Sequence, residues 1–249
     1  MMRTFLALSL TITLSSCLNS QTKQSFNQKI KTESRQTMSY FEYTPKNAHP
    51  NAQALMTEDF YWSPNEETGP FGSDDGWDAA QLYHEWILSN KDASPLIFLK
   101  ELISQWQYPF FDWNEMDTTK IKEYINSGPA IDEDAIQQQM AQMRKISKNS
   151  HDSLIEKLDD IQLRNIILST SQQMNGVFLL GQDNAIIATG FAQFALEGKI
   201  NTDLKTLTIT AIKRQLLPLL INRYDAIYRD IRSEQLTKML SVINKAKYR

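Results

Sequence analysis

Asp59, Glu66, Glu67, Asp74, Asp75 and Asp78 crowd into one short stretch, DFYWSPNEETGPFGSDDGWD, and His84 follows two turns beyond it. Oxygen-rich loops of this kind hold calcium or magnesium. Asp59, Asp74, Asp75, Asp78 and His84 are the set that would serve a metal-dependent hydrolase. The spacing misses the calcium helix-loop-helix pattern, which needs acids at alternate positions and a glycine sixth. Zinc fits less well, because His49, His84 and His151 are the only histidines and no two stand four apart. The plainer account is that Asp74, Asp75 and Asp78 cap and solvate the start of a helix. A nucleophile is no easier to find. Asp75 stands where a nucleophile elbow after Ser73 needs its second glycine, and nothing singles out Ser73, Asp78 and His84 as a triad. The chain has no glycine-rich nucleotide loop, so no cofactor is expected. The same stretch is aromatic as well as acidic. Trp77 precedes an apolar helix stripe and sits among carboxylates, so Asp74, Asp75 and Trp77 form the surface that would meet a basic protein partner.

The elements that must position these residues read as helices. Asn47–Met56 is a short one with Pro50 in its first turn. Asp59–Asp78 is then irregular, with turn chemistry at Ser63-Pro64-Asn65 and Thr68-Gly69-Pro70. Ser73 or Asp74 caps the next helix, whose Ala79, Leu82, Tyr83, Trp86 and Ile87 recur at helical spacing. Pro95 opens a helix striped with Leu96, Leu99, Ile103 and Trp106, and Tyr108–Asn114 is an aromatic loop. Thr118–Ile125, Asp132–Ser147 and Leu154–Met174 read as further helices, with Asn175-Gly176 ending the last. Val177–Leu180 is the one strand expected, stopped by Gly181. Ala185–Leu196 is helical up to Gly198, Asn201 or Thr202 caps Asp203–Ile221, and Pro218 kinks or shortens that helix's last turn. A final helix starts at Ser233. The fold class is mainly α: a single array of about eight helices with a long irregular N-terminal loop segment. A soft boundary near Ser127–Ile131 could divide it.

The N-terminus reads as an address. Met1, Met2 and Arg3 lead an apolar run, Phe5–Leu14, too short to span a bilayer as a helix. Leu14-Ser15-Ser16-Cys17 follows, and Cys17 is the only cysteine of the chain. An exported chain with one thiol leaves that thiol to be explained. Residues 1–16 therefore resemble a bacterial lipoprotein signal peptide. That resemblance implies cleavage before Cys17, acylation of Cys17 and attachment to the lipid bilayer. Leu18, where an aspartate would signal retention in the inner membrane, resembles an outer-membrane destination facing the periplasm. Residues 17–46 are rich in Asn, Gln, Ser, Thr and Lys, and they read as a tether with a reach on the order of 30 Å. The aromatics at Tyr40, Phe41 and Tyr43 would be its first docked piece, and residues 47–249 would be the helical domain. The net charge of −3 and the lack of a basic block argue against nucleic acid as a partner.

His49-Pro50, Asp59–Trp62, the PFGSDDG run of Pro70–Gly76, Ile187–Gly198 and Arg214–Pro218 together resemble the YfeS-like bacterial proteins. The similarity covers roughly residues 47–245 and is most specific at PFGSDDG. It implies a shared fold and carries over no activity and no catalytic residue. The lipoprotein leader departs from those relatives that lack one. These readings lean against an enzyme. They favour a lipid-anchored, protein-binding module in the periplasm, for example an immunity protein that meets a toxin through Asp74, Asp75 and Trp77. A metal-dependent hydrolase and a plain envelope scaffold are the alternatives.

Overall fold

In the computed structural model, residues 40–128, 132–150 and 153–249 are described. Cys17, residues 1–16 read as a signal peptide and most of residues 17–46 read as a tether lie outside them. The described chain is mainly helical and forms no strand; Ile200 and Tyr248 make one isolated parallel bridge. The helices are α1 (Pro50–Leu55), α2 (Asp74–Ser89), α3 (Pro95–Gln105), α4 (Thr118–Ser127), α5 (Glu133–Ser150), α6 (Ser153–Glu156), α7 (Asp160–Glu197), α8 (Thr202–Gln215), α9 (Pro218–Ile221) and α10 (Ala226–Lys245).

The chain divides into two compact units. Asp132–Ile167 belongs to one, and Phe41–Ile131 with Leu168–Arg249 makes the other. The first cut falls at the boundary read near Ser127–Ile131. In the smaller unit, Ile136, Met140, Ile155 and Leu163 are buried. Arg144 ties the loop before α7 by donating to Leu158 O at 2.7 Å and to Asp160 at 2.9 Å. Asp159 and Gln162 cap each other's backbone N–H at the start of α7, a capping box that satisfies two otherwise orphaned donors.

The larger unit is built around α7. Its face from Ala185 to Ala195 is almost wholly buried and packs with α2, α8 and α10 side chains such as Tyr83, Leu204, Ala211, Leu236 and Met239. Ser73 caps α2 by accepting from Gly76 N at 3.1 Å, and Asn201 caps α8 by accepting from Asp203 N at 3.0 Å. Gly198 ends α7 with φ +68°. Phe41 and Tyr43 are docked on α2. Phe41 N and O pair with the Gln81 amide, and the Tyr43 hydroxyl donates to Ala80 O at 2.7 Å.

Several boundaries differ from the sequence reading. No strand forms at Val177–Leu180, and no break occurs at Asn175-Gly176: α7 runs through both for 38 residues. Gly176 and Gly181 each face side chains that leave no room for a Cβ, the Arg223 guanidinium at Gly176 and the Asp75 carboxylate at Gly181. They mark close packing against the helix and not its end. At the other end of the chain, α10 begins at Ala226, two turns before Ser233; α8 is shortened to end at Gln215, as Pro218 suggests, and Pro218 opens a separate short helix.

Candidate functional site

α3 stops at Trp106, where Gln107 turns the chain with φ 58°. The chain re-enters helix at Thr118, capped by Asp117, whose carboxylate accepts from Thr119 N at 2.7 Å. The connecting loop, Gln107–Asp117, carries YPFFDWN, one of the densest aromatic runs in the chain. A loop without secondary structure needs other partners for its backbone, and here buried side chains supply them. Arg214, fully buried on α8, donates from Nη1 to Trp113 O at 2.8 Å and to Glu115 O at 3.0 Å. Gln182, fully buried on α7, donates to Pro109 O at 3.2 Å and accepts from the Trp113 indole at 2.9 Å. The Tyr124 hydroxyl on α4 donates to Pro109 O at 2.8 Å. The Tyr108 hydroxyl donates to the Asp75 carboxylate on α2 at 2.6 Å.

Behind the loop lies a buried polar layer. Arg214 Nε donates to both oxygens of Asp183 at 3.2 Å, and Nη2 makes a further short contact to Asp183 Oδ1; both side chains are fully enclosed. Burial pushes the Asp183 carboxyl up, against the pull of Arg214 and Arg232. Arg232 on α10 is 1% exposed. It donates to Gln215 Oε1, to Asn184 Oδ1 at 3.0 Å and to Thr68 O, so it holds the turn that leads into PFGSDDG. Arg214 alone bonds the carboxylate, while Arg232 is held by neutral oxygens and acts on Asp183 only through its charge. Such a layer rigidifies what it touches when every member is satisfied.

The outer face of the loop is different. Phe110 is 87% exposed at its tip. Beside it lies a groove of about 730 Å³. Leu96 and Ile103 of α3, Tyr108, Phe111 and Trp113 of the loop, and Leu207 of α8 give it apolar walls. Lys100, Ser104, Asp112, Asn114, Asp203 and Thr206 add polar groups, with Gln182 beneath. This combination of apolar wall and few polar groups suits binding.

The acidic stretch takes other roles. Asp75 is partly buried and occupied by Tyr108, and its second oxygen lies against Gly181. Burial raises its carboxyl above the usual range, the Tyr108 hydrogen bond opposes this, and Asp74 and Asp78 add to it. Asp74 and Asp78 are exposed in and after the first turn of α2. Trp77 is partly buried against the core. Asp59 is exposed on the 3-10 turn Asp59–Tyr61. His84 stacks on Phe41 at 4.2 Å, and burial holds it below its ordinary value against the charge of Glu85. Among the described residues, no three His, Cys, Asp or Glu side chains are placed to share a metal ion. Asp59, Asp74, Asp75, Asp78 and His84 therefore do not gather into a ligand set.

The sequence marks 108–114 as an aromatic loop but gives it no special weight, and it does not single out Lys100, Gln182, Asp183 or Asp203. A usable signal was present: Gln182-Asp183-Asn184 interrupts an otherwise apolar run, and polar residues there need partners. No helix among the described residues is long and apolar enough to cross a membrane. No family model, no curated protein and no solved structure matches the chain.

Proposed function

We propose that the chain is a non-enzymatic protein-binding module, and that its binding surface is the aromatic loop Gln107–Asp117 with the groove beside it. The observation that carries this reading is Phe110, 87% exposed at the tip of a loop whose backbone is held from beneath by Arg214, Gln182 and Tyr124. An exposed aromatic on a pre-ordered loop loses little conformational freedom on binding. Aromatic anchors of this kind dominate interface energetics. Asp75 supports the surface through Tyr108, and Asp74 adds negative charge at the neighbouring helix start. The resemblance to the YfeS-like proteins adds a shared fold to this proposal and no activity.

Attachment through an acylated Cys17 belongs to the same proposal and would present the domain to the periplasm. An immunity role against a toxin is one form it could take. The test is a photo-crosslinking phenylalanine analogue at position 110 of the full chain in its native host, with a control at Ile227, which is 79% exposed and lines no part of the groove. Adducts at 110 and none at 227 support the reading. No adduct at 110 overturns it. Loss of fatty-acid labelling in Cys17→Ser tests the anchor separately.

A further inference from the structure

Two segments that lie far apart in sequence are held by one set of buried groups. Asp183 and Asn184 are neighbours on α7, and Arg214 and Gln215 are neighbours on α8. They meet as two rungs: Arg214 bonds Asp183, and Gln215 Nε2 donates to Asn184 Oδ1 at 2.9 Å. The first rung serves the aromatic loop, through the carbonyls of Trp113 and Glu115. The second serves the acidic stretch. Arg232 donates to both of its members and to the carbonyl of Thr68, a residue only 2% exposed. The charge of Arg232 also acts on Asp183, so the rungs are joined electrostatically as well as through the backbone.

A second link joins the same two segments from the other side. The Tyr108 hydroxyl donates to Asp75 at 2.6 Å, and the Tyr108 ring lies 4.8 Å from that of Phe178 on α7. The loop is thus tied to the acidic stretch near both of its ends: residue 108 to residue 75, and residues 113 and 115, through the polar layer, to residue 68. The turn that receives the inner link has no slack of its own. A Cβ at Gly69 would lie 2.4 Å from Phe60 O, and one at Gly72 would lie 1.7 Å from Glu66 O.

Close-packed interiors transmit displacement, and segments that share their supports open together as cooperative units. We propose that the turn at residues 66–72 and the aromatic loop at residues 107–117 open and close as one unit, so that whatever orders or displaces the loop does the same to the turn leading into PFGSDDG. Arg232, whose donors go to Thr68, Asn184 and Gln215, therefore governs the order of a loop it does not bond. The coupling stands whatever the loop binds.

Residue-resolved amide hydrogen exchange of the full chain tests it. Gly69 N donates to Glu66 O at 2.7 Å and Glu115 N donates to Asp112 O at 2.9 Å, so each segment has its own reporter. Phe191, fully buried on α7, reports global opening. Arg232→Met removes the donors that hold the turn, and Tyr108→Phe removes only the outer hydroxyl. Each should speed exchange about tenfold at both reporters, the effect of losing one hydrogen bond, and by more than at Phe191. Acceleration at Gly69 but not at Glu115 in Arg232→Met overturns the coupling, as does acceleration at both that is no greater than at Phe191. Should Arg232→Met fail to fold, Tyr108→Phe decides alone: faster exchange at Gly69, six residues before the Asp75 it bonds, supports the single unit, and unchanged exchange there overturns it.

Discussion

Arg214→Met removes the one guanidinium that both neutralises Asp183 and holds the aromatic loop. Methionine keeps much of the volume and removes all donors. Asp183 is then left fully buried, with the charge of Arg232 still acting on it but no hydrogen bond from it. Breaking a buried pair from one side costs about 3–5 kcal/mol. The two loop carbonyls that Arg214 served, on Trp113 and Glu115, add about 1 kcal/mol each. A loss of about 5 kcal/mol is a large share of a typical folding free energy of about 5–15 kcal/mol. Asp183→Leu alone strands Arg214 and should cost a similar amount. The double variant leaves no unpaired charge and should cost only about 2 kcal/mol, from the loop carbonyls. Urea denaturation followed by tryptophan fluorescence reads all three. The pH dependence adds a sign. Without Arg214 the Asp183 carboxyl is raised further by burial, so protonation relieves the strain and the single variant's deficit should shrink as pH falls. A single-variant cost below about 1 kcal/mol, or a double variant as unstable as the two singles summed, would refute the buried pair as the loop's internal support.

Gly181→Ala improves helix propensity by about 1 kcal/mol, yet its Cβ would lie 2.8 Å from Asp75 Oδ2 and 2.9 Å from Tyr108 Cε2. The net effect expected in a melting curve is a loss of about 1–3 kcal/mol, and a gain in stability would show that Asp75 and Tyr108 are not seated on α7. Asp75 is raised in the folded state, so the native protein holds that proton to higher pH than the unfolded chain, whose ordinary value is about 3.9. Its contribution therefore favours the fold below that value and is lost as pH climbs through the raised one. Asp75→Asn should flatten this part of a melting-temperature profile, and an unchanged profile would count against the raised carboxyl. Phe110→Asp should leave stability within about 0.5 kcal/mol, because the ring is exposed. It should nevertheless abolish capture by the binding partner, and retained capture would move the interface elsewhere.

Much of the helical frame was legible because local chemistry and packing agree there. Ser73 and Asn201 cap the helices that their side chains suggest, Gly198 ends α7, and Phe41 and Tyr43 dock as the first ordered piece. The strand at Val177–Leu180 failed because an apolar run of four is ambiguous by period, and Gly176 and Gly181 looked like punctuation. Their real role is to let Arg223 and Asp75 approach the helix, a tertiary fact with no local signature. The acidic stretch is conspicuous by density, but density does not reveal that Tyr108 lies 33 residues on and occupies Asp75. Asp183 and Arg214 stand 31 residues apart, so their pairing was equally hidden.

The most direct measurement is backbone 15N relaxation across residues 107–117 in the full chain, compared with α3 and α8. A loop held by Arg214, Gln182 and Tyr124 should give order parameters of about 0.85, equal to the flanking helices, and lose them in Arg214→Met. Values below about 0.6 in the wild-type loop would contradict a pre-ordered aromatic surface.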